Sequence, residues 1–267
     1  MTQACATYAS LEERTAMLAP AMEYYAPSGG GAAPLVILAS GCGGLNGLDG
    51  PKPIMKNYAS AATAAGAYVV VFDSFAPHGI GFEESVAWVC SGMRLRGDAR
   101  AADIIAAEAL AREHWKRDFS GVILAGWSHG GWAVMELLSA GPDANVVGNF
   151  HIKAPSAALT PDAVALYYPY CGLLNSTGRS KWDFKGPLFL LAADADSPGA
   201  GKECSDIVAR ARGGLDGVES IHFPNNTHAF DEHDQVPGSA FTYDPEATQR
   251  SLALFGAFIR QQVERLK

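Results

Sequence analysis

Short apolar runs recur along this chain between longer segments of helical pattern, and few architectures accommodate that alternation. The runs are Pro34 to Ala39, Ala67 to Asp73, Gly121 to Ala125, Ala163 to Tyr168, Leu188 to Ala192 and Val218 to Phe223. A strand with one wet face alternates apolar and polar residues. Val69-Val70-Val71 does not alternate, so that strand is buried on both faces. Helical patterns fill Ile54 to Ala65, stopped by Gly66, then Gly97 to Lys116, His129 to Ser139 and Pro245 to Leu266. The last places Leu252, Phe255, Phe258 and Ile259 on one side. Strands alternating with helices predict βαβ units: an α/β chain with a mostly parallel central sheet and helices on both faces. The 29 glycines and 15 prolines are too many for a helical bundle. The 267 residues suit one domain over 1–267. Stretches 141–162 and 172–186 are candidate lid segments.

Charge and cysteine content narrow the function classes. Twenty Lys and Arg against 28 Asp and Glu give a net charge of −8, which repels a phosphate backbone and argues against nucleic acid. No run approaches the 18 or so apolar residues of a membrane helix. Met1 to Pro20 has neither the basic start nor the apolar block of a leader. The expected location is cytoplasmic, or periplasmic or secreted if a leader has been removed. Cys5, Cys42, Cys90, Cys171 and Cys204 show no C-x-x-C spacing, and most read as small buried hydrophobes. One or two disulfides among them would instead place the protein outside the cytoplasm.

Gly126-Trp127-Ser128-His129-Gly130 fits G-x-S-x-G. Such a match arises easily by chance, so its setting decides. The strand Gly121 to Ala125 leads in and a helical pattern leads out, as a nucleophile elbow requires. The strained turn needs small neighbours, which Gly126 and Gly130 supply. Trp127, beside the nucleophile, is expected close to substrate. Phe75, Trp88, Trp132 and Tyr170 are further candidates for pocket walls.

A serine nucleophile needs a general base, and the base needs an orienting carboxylate. On this topology the chain order is Ser, acid, His. His78 and His114 precede Ser128, His129 adjoins it, and His151 precedes any acid at a strand end. His222 lies within a strand pattern. His228 follows that strand on a loop and is the expected base, with His233 the weaker alternative. Asp194 and Asp196 both sit at the carboxyl end of the Leu188–Ala192 strand, and spacing does not separate them. The oxyanion donors expected are the backbone N–H of His129 and that of Cys42, in the glycine loop Ser40-Gly41-Cys42-Gly43-Gly44. That loop lacks the G-x-G-x-x-G of a dinucleotide site. A metal cluster of His228, Asp231, His233 and Asp234 is disfavoured, because acids and histidines on a loop are usually solvated.

These residues resemble the dienelactone hydrolase family of α/β-hydrolases over roughly residues 30 to 265. The resemblance is carried by SGCGGLNG (40–47), VFDSFAPHGI (71–80), GWSHGG (126–131), YYPYCG (167–172) and FPNNTHAFD (223–231). It implies an α/β-hydrolase fold with no cofactor and no metal, and it favours His228 over His233. The family acid usually follows Gly-x-x-Asp. Ala193-Asp194-Ala195-Asp196 matches with Ala for Gly, which favours Asp196. Three positions depart from the family. Ser128 stands where founding members carry cysteine, Ser40 where many have His, and His78 where they often have Arg. Arg94 and Arg96 are candidates for a substrate carboxylate, although surface pairing with Asp98 is the preferred reading.

The expected activity is hydrolysis of a small-molecule ester through an acyl-enzyme: Ser128 attacks, His228 shuttles the proton and Asp196 fixes the imidazole tautomer. An acyl-peptide or polyester hydrolase on the same triad is the alternative. A catalytically inactive binding protein is a weaker one.

Overall fold

The computed structural model describes residues 10–29, 31–141, 146–147, 150–151, 159–196, 203–233 and 239–267. Its centre is a seven-stranded sheet. The strands are β1 (Met22–Tyr25), β2 (Leu35–Ala39), β3 (Tyr68–Phe72), β4 (Val122–Trp127), β5 (Ala163–Tyr167), β6 (Leu188–Ala193) and β7 (Val218–Phe223). They lie in the order β1-β3-β2-β4-β5-β6-β7. Only β1 runs antiparallel to its neighbour, pairing Met22 with Phe72 at the sheet edge. The other pairs are parallel.

The helices are α1 (Leu11–Leu18), α2 (Pro53–Ala64), α3 (Gly97–Trp115), α4 (His129–Ala140), α5 (Glu203–Arg212) and α6 (Pro245–Arg265). Strand alternation feeds two separate cores. Leu35, Ile37 and Ala39 of β2 pack with Ala101 and Ile105 of α3 and Val134 of α4 on one face. Val36 and Leu38 pack with Tyr58 of α2 and Phe255, Phe258 and Ile259 of α6 on the other. Both faces of the central strands are therefore dry, which is why they read as unbroken apolar runs.

Local chemistry sets the helix ends. Pro53 opens α2 and Pro245 opens α6, at first-turn positions whose N–H would have no intrahelical acceptor. The Asp244 side chain caps α6 by accepting from the N–H groups of Glu246 and Ala247, at 3.0 and 2.9 Å. The Ala247 bond, with a further bond from the Asn226 side chain, holds the Asp244 carboxyl below its ordinary range. Ser10 and Glu13 form a reciprocal capping box at the start of α1.

From β2 the chain crosses to β3 on one side, then returns past β2 to β4 on the other. That reversal opens a crevice at the carboxyl ends of β2 and β4, where open parallel sheets place their sites. Among the described residues no helix is long and apolar enough to cross a membrane. Most of stretch 141–162 lies outside the described residues. Stretch 172–186 is tied to α4. Ser176 bonds Glu136 of α4, and Trp182 donates to Ser139 of α4.

Candidate active site

Ser128 sits in the tight turn between β4 and α4 with φ 50° and ψ −114°, a conformation that L side chains rarely adopt. Backbone packing dictates the glycines around it. A Cβ on Gly126 would stand 2.5 Å from the Gly130 carbonyl oxygen, and one on Gly130 would stand 2.0 Å from that of Ala39. The turn presses directly on the end of β2, and a methyl group at either position would force them apart. The Ser128 carbonyl accepts from the N–H groups of Trp132 and Tyr170, at 3.0 and 3.2 Å, which pins the turn from beneath.

The loops after β6 and β7 bring the two partners. His228 Nε2 stands 2.7 Å from Ser128 Oγ, and its Nδ1 stands 2.6 Å from Asp196 Oδ2. The Asp196 side chain is 0% exposed and that of His228 13%, so the chain of hydrogen bonds runs out of water. Asp194, left level with Asp196 by spacing, goes elsewhere. Its Oδ1 pairs with Nδ1 of His222 at 2.8 Å, with both side chains well exposed. His233 packs edge-on against Tyr243 and is not part of the trio. The His228 ring is held between Tyr168, edge-on at 4.8 Å, and Phe241 at 5.3 Å.

Beneath that ring lies a carboxylate that the sequence reading had placed in a disfavoured metal cluster. Asp231 accepts from the phenols of Tyr58 and Tyr168, at 2.6 and 2.5 Å, in a buried setting. Burial raises its carboxyl to about 6, with the phenol hydrogen bonds working in the opposite direction. Asp231 thus joins α2 and the end of β5 to the loop that carries His228. Asp234 lies outside the described residues.

Cys42 and His129, the expected oxyanion donors, both border the serine. Cys42 lines the same cavity as Ser128. His129 is the first residue of α4, where a backbone N–H has no intrahelical acceptor and faces the positive end of the helix dipole. A Cβ on Gly41 would be 3.6 Å from Ser128 Cβ, so the glycine loop lies against Ser128.

A residue missed in the sequence ties these parts together. Arg100, fully buried in the first turn of α3, donates through Nε to Ser74 Oγ and through Nη2 to Ser40 Oγ. Its Nη1 stands 3.2 Å from His129 Nδ1, and its guanidinium lies over the Phe75 ring. Burial lowers its pKa to about 10, which leaves it charged at neutral pH. Burial first, then Arg100, pushes the His129 ring well below the usual imidazole range. The ring is therefore neutral, and its Nδ1 accepts from the guanidinium. One cation thus links the start of the glycine loop, the loop after β3 and the residue following Ser128. Ser40, a departure from the family pattern, is one of its anchors.

Other expectations move. Trp127 is 0% exposed and lies in the core, stacked on Tyr167 with ring centroids 4.7 Å apart, and is not among the described residues lining the cavity beside Ser128. It is the last residue of β4, and strand alternation turns its side chain toward α2 and α6. Phe75 and Trp132 are buried, Trp88 is exposed, and Phe82, Val86 and Phe241 form the apolar wall instead. Arg94 pairs on the surface with Glu84, while Asp98 accepts from the backbone of Ala99. The cation at the cavity is Lys52.

The cavity beside Ser128 and His228 holds about 220 Å³. Depressions of about 420 and 410 Å³ elsewhere contain neither residue, so size does not identify the site. Two disulfides flank it. Cys42–Cys90 fastens the glycine loop to the cavity wall, and Cys171–Cys204 fastens the segment after β5 to α5. Cys42, Cys90, Cys171 and Cys204 are thus crosslinked, contrary to the reading that most cysteines are simple buried hydrophobes.

Solved structures share this architecture. Esterase 2 of Thermogutta terrifontis, phosphorylated by paraoxon, superposes with a TM-score of 0.63 at 16% identity, over 90% of this chain and 88% of that one. The same esterase with propionate bound gives 0.62 at 16% identity, over the same shares. An alpha-beta serine hydrolase homologue from Coxiella burnetii gives 0.53 at 15% identity, over 91% of this chain and 90% of that one. At these identities the likeness shows the fold, which is that of the α/β-hydrolases. A sequence search of curated proteins finds no match. The family model for dienelactone hydrolases matches residues 81–263, well over half of the sequence, and the chain belongs to the dienelactone hydrolase family, a family of hydrolases.

Proposed function

We propose that the protein is a serine carboxylesterase acting on short esters through an acyl-enzyme. The observation that carries this reading is the unbroken series Asp196 Oδ2, His228 Nδ1, His228 Nε2 and Ser128 Oγ, with separations of 2.6 and 2.7 Å. Asp196 accepts the Nδ1–H and leaves Nε2 free to take the proton of Ser128 as its oxygen attacks the ester carbonyl. Charge developing on the carbonyl oxygen meets the N–H groups of Cys42 and His129, with the α4 dipole and the Arg100 charge behind them. His228 returns its proton to the departing alcohol, then activates water against the acyl-Ser128. The cycle needs no cofactor and no metal. A cavity of about 220 Å³ suits small acyl groups better than the acyl-peptide or polyester chains that the same trio could cut. The two disulfides favour an oxidising compartment outside the cytoplasm.

Paraoxon, which phosphorylates the Thermogutta esterase, is the probe of choice. Stoichiometric labelling and turnover of p-nitrophenyl butyrate are expected, and both are lost in Ser128→Ala. Turnover retained by that variant refutes the assignment of Ser128. A wild type that shows neither labelling nor turnover refutes the esterase in favour of a binding protein.

A further inference from the structure

Two charges occupy the wall of the cavity, and the reaction just described uses neither. Lys52 stands immediately before α2, with its side chain only 3% exposed. Its ammonium is 2.8 Å from Glu232 Oε2 and lies over the Phe82 ring, 5.0 Å from the centroid. A Cβ on Gly43 would fall 2.6 Å from Nζ, so the ammonium rests against the glycine loop. Glu232 follows His228 by four residues. A Cβ on Gly41 would be 3.6 Å from both Glu232 Oε1 and Ser128 Cβ, so carboxylate and nucleophile face each other across the width of one methyl group. The rest of the wall is apolar: Phe82, Val86, Phe241 and the Cys42–Cys90 bridge.

Resting on the esterase reading, we propose that Lys52 and Glu232 are the specificity determinants of this site. They select acyl groups that carry a second, uncharged oxygen acceptor, such as a hydroxyl, an ether or another ester carbonyl, and they reject acyl groups that carry a carboxylate. The argument begins with donor capacity. An ammonium has three N–H donors. Among the described residues Glu232 is the one oxygen acceptor within hydrogen-bond reach of Lys52 Nζ, and Lys52 lines the cavity. A neutral oxygen entering the cavity gives the ammonium a second acceptor at little desolvation cost, and a hydrogen bond to a charged donor is worth about tenfold in affinity. An anionic group meets a different balance. Lys52 attracts it and Glu232 repels it from nearly the same position, so the two effects largely cancel. The cost of stripping water from a carboxylate against apolar walls then stands uncompensated. The pair therefore acts as a neutral hydrogen-bonding post and not as an anion receptor.

Methyl esters test this, because a methanol leaving group ensures that the acyl chain is what the cavity holds. Rates for methyl butyrate, dimethyl succinate and monomethyl succinate are measured by pH-stat at pH 7. In the wild type kcat/KM is expected about tenfold higher for dimethyl succinate than for methyl butyrate, and about tenfold lower for monomethyl succinate. Glu232→Gln, which leaves the ammonium uncompensated, should raise monomethyl relative to dimethyl succinate by about tenfold. Lys52→Met should erase the preference for dimethyl succinate over methyl butyrate. Each ratio comes from one preparation, so partial unfolding of a variant cancels. Hydrolysis of methyl butyrate with monomethyl succinate as good a substrate as the diester overturns this assignment alone. So does a Glu232→Gln ratio equal to wild type. Failure to hydrolyse any of the three overturns the esterase reading and this assignment together.

Discussion

Replacing Gly130 by alanine puts a methyl group where the turn at Ser128 touches the end of β2. The added Cβ would stand 2.0 Å from the Ala39 carbonyl oxygen and 2.5 Å from that of Ser40, whereas ordinary contact begins at 3.4 Å. Both obstacles are backbone, and Ala39 is fixed in register opposite Gly126, so no side-chain rotation relieves the overlap. The glycine loop has to retreat from the elbow. Overpacking of this kind costs about 1–3 kcal/mol, and backbone obstacles place it at the upper end. At about 2–4 °C per kcal/mol for a chain of this size, Tm should fall by about 6–12 °C. The retreat also carries the Cys42 N–H away from Ser128. A displacement near 1 Å costs about 100-fold in rate, or about 2.7 kcal/mol of barrier. The assay is kcat for p-nitrophenyl butyrate, normalised to sites titrated with paraoxon, alongside Tm by circular dichroism. Gly178→Ala is the control, because a Cβ there meets nothing within 4 Å. A Gly130→Ala enzyme with wild-type kcat and Tm would show that the contact between elbow and β2 does not hold the donors in place.

Asp196→Asn should lower kcat by about 10⁴-fold by losing the imidazole tautomer, while Asp194→Asn leaves it unchanged; equal losses in both would refute the choice of Asp196. The Asp231 carboxyl, raised by burial to about 6 from 3.8, binds its proton more tightly in the folded chain, so its contribution to stability is complete below pH 3.8 and is lost as pH rises through 6. That contribution amounts to about 3 kcal/mol, and Asp231→Asn should flatten the slope of Tm against pH between 4 and 6; an unchanged slope would locate the titration elsewhere. The joint substitution Cys42→Ala with Cys90→Ala opens a crosslink spanning 48 residues, worth about 4 kcal/mol by loop entropy, and denaturant unfolding should show a loss of that order. Arg100→Met should lower kcat with little change in KM and bring a new protonation of His129 into the pH–rate profile; a profile identical to wild type would reduce Arg100 to a packing role.

The five inner strands β2 to β6 were legible because each is buried on both faces and so reads as an unbroken apolar run, which the edge strand β7, VESIHF, does not. The elements missed lack that property. Strand β1 is MEYY, a half-wet edge, and α1 buries only Leu18. Helix α5 carries Glu203, Asp206, Arg210 and Arg212 around a narrow apolar seam of Cys204, Val208 and Ala211. Ser128 and His228 could be selected because topology fixes their order along the chain. Asp194 and Asp196 could not be separated by spacing, since two residues decide which carboxyl faces inward only once the loop is folded. Trp127 shows the opposite error: adjacency in sequence to Ser128 suggested adjacency to substrate, but strand alternation sends neighbouring side chains to opposite faces. Lys52 and Glu232 are 180 residues apart, and nothing local in either segment announces the other. The disulfide pairings are of the same kind, because they depend on which loops meet at the crevice.

The exposed pair of His222 and Asp194 has a use of its own. It repeats the contact of His228 with Asp196, at 2.8 Å against 2.6 Å, near the ends of the same two strands, but it is well exposed, and among the described residues no hydroxyl bonds its other nitrogen. The molecule thus contains an internal reference: two imidazole–carboxylate pairs in one sample, at one temperature and ionic strength, differing in enclosure and in the serine. Imidazole proton spectra recorded across a pH range would read both at once, and their difference measures what enclosure and a neighbouring nucleophile do to a histidine.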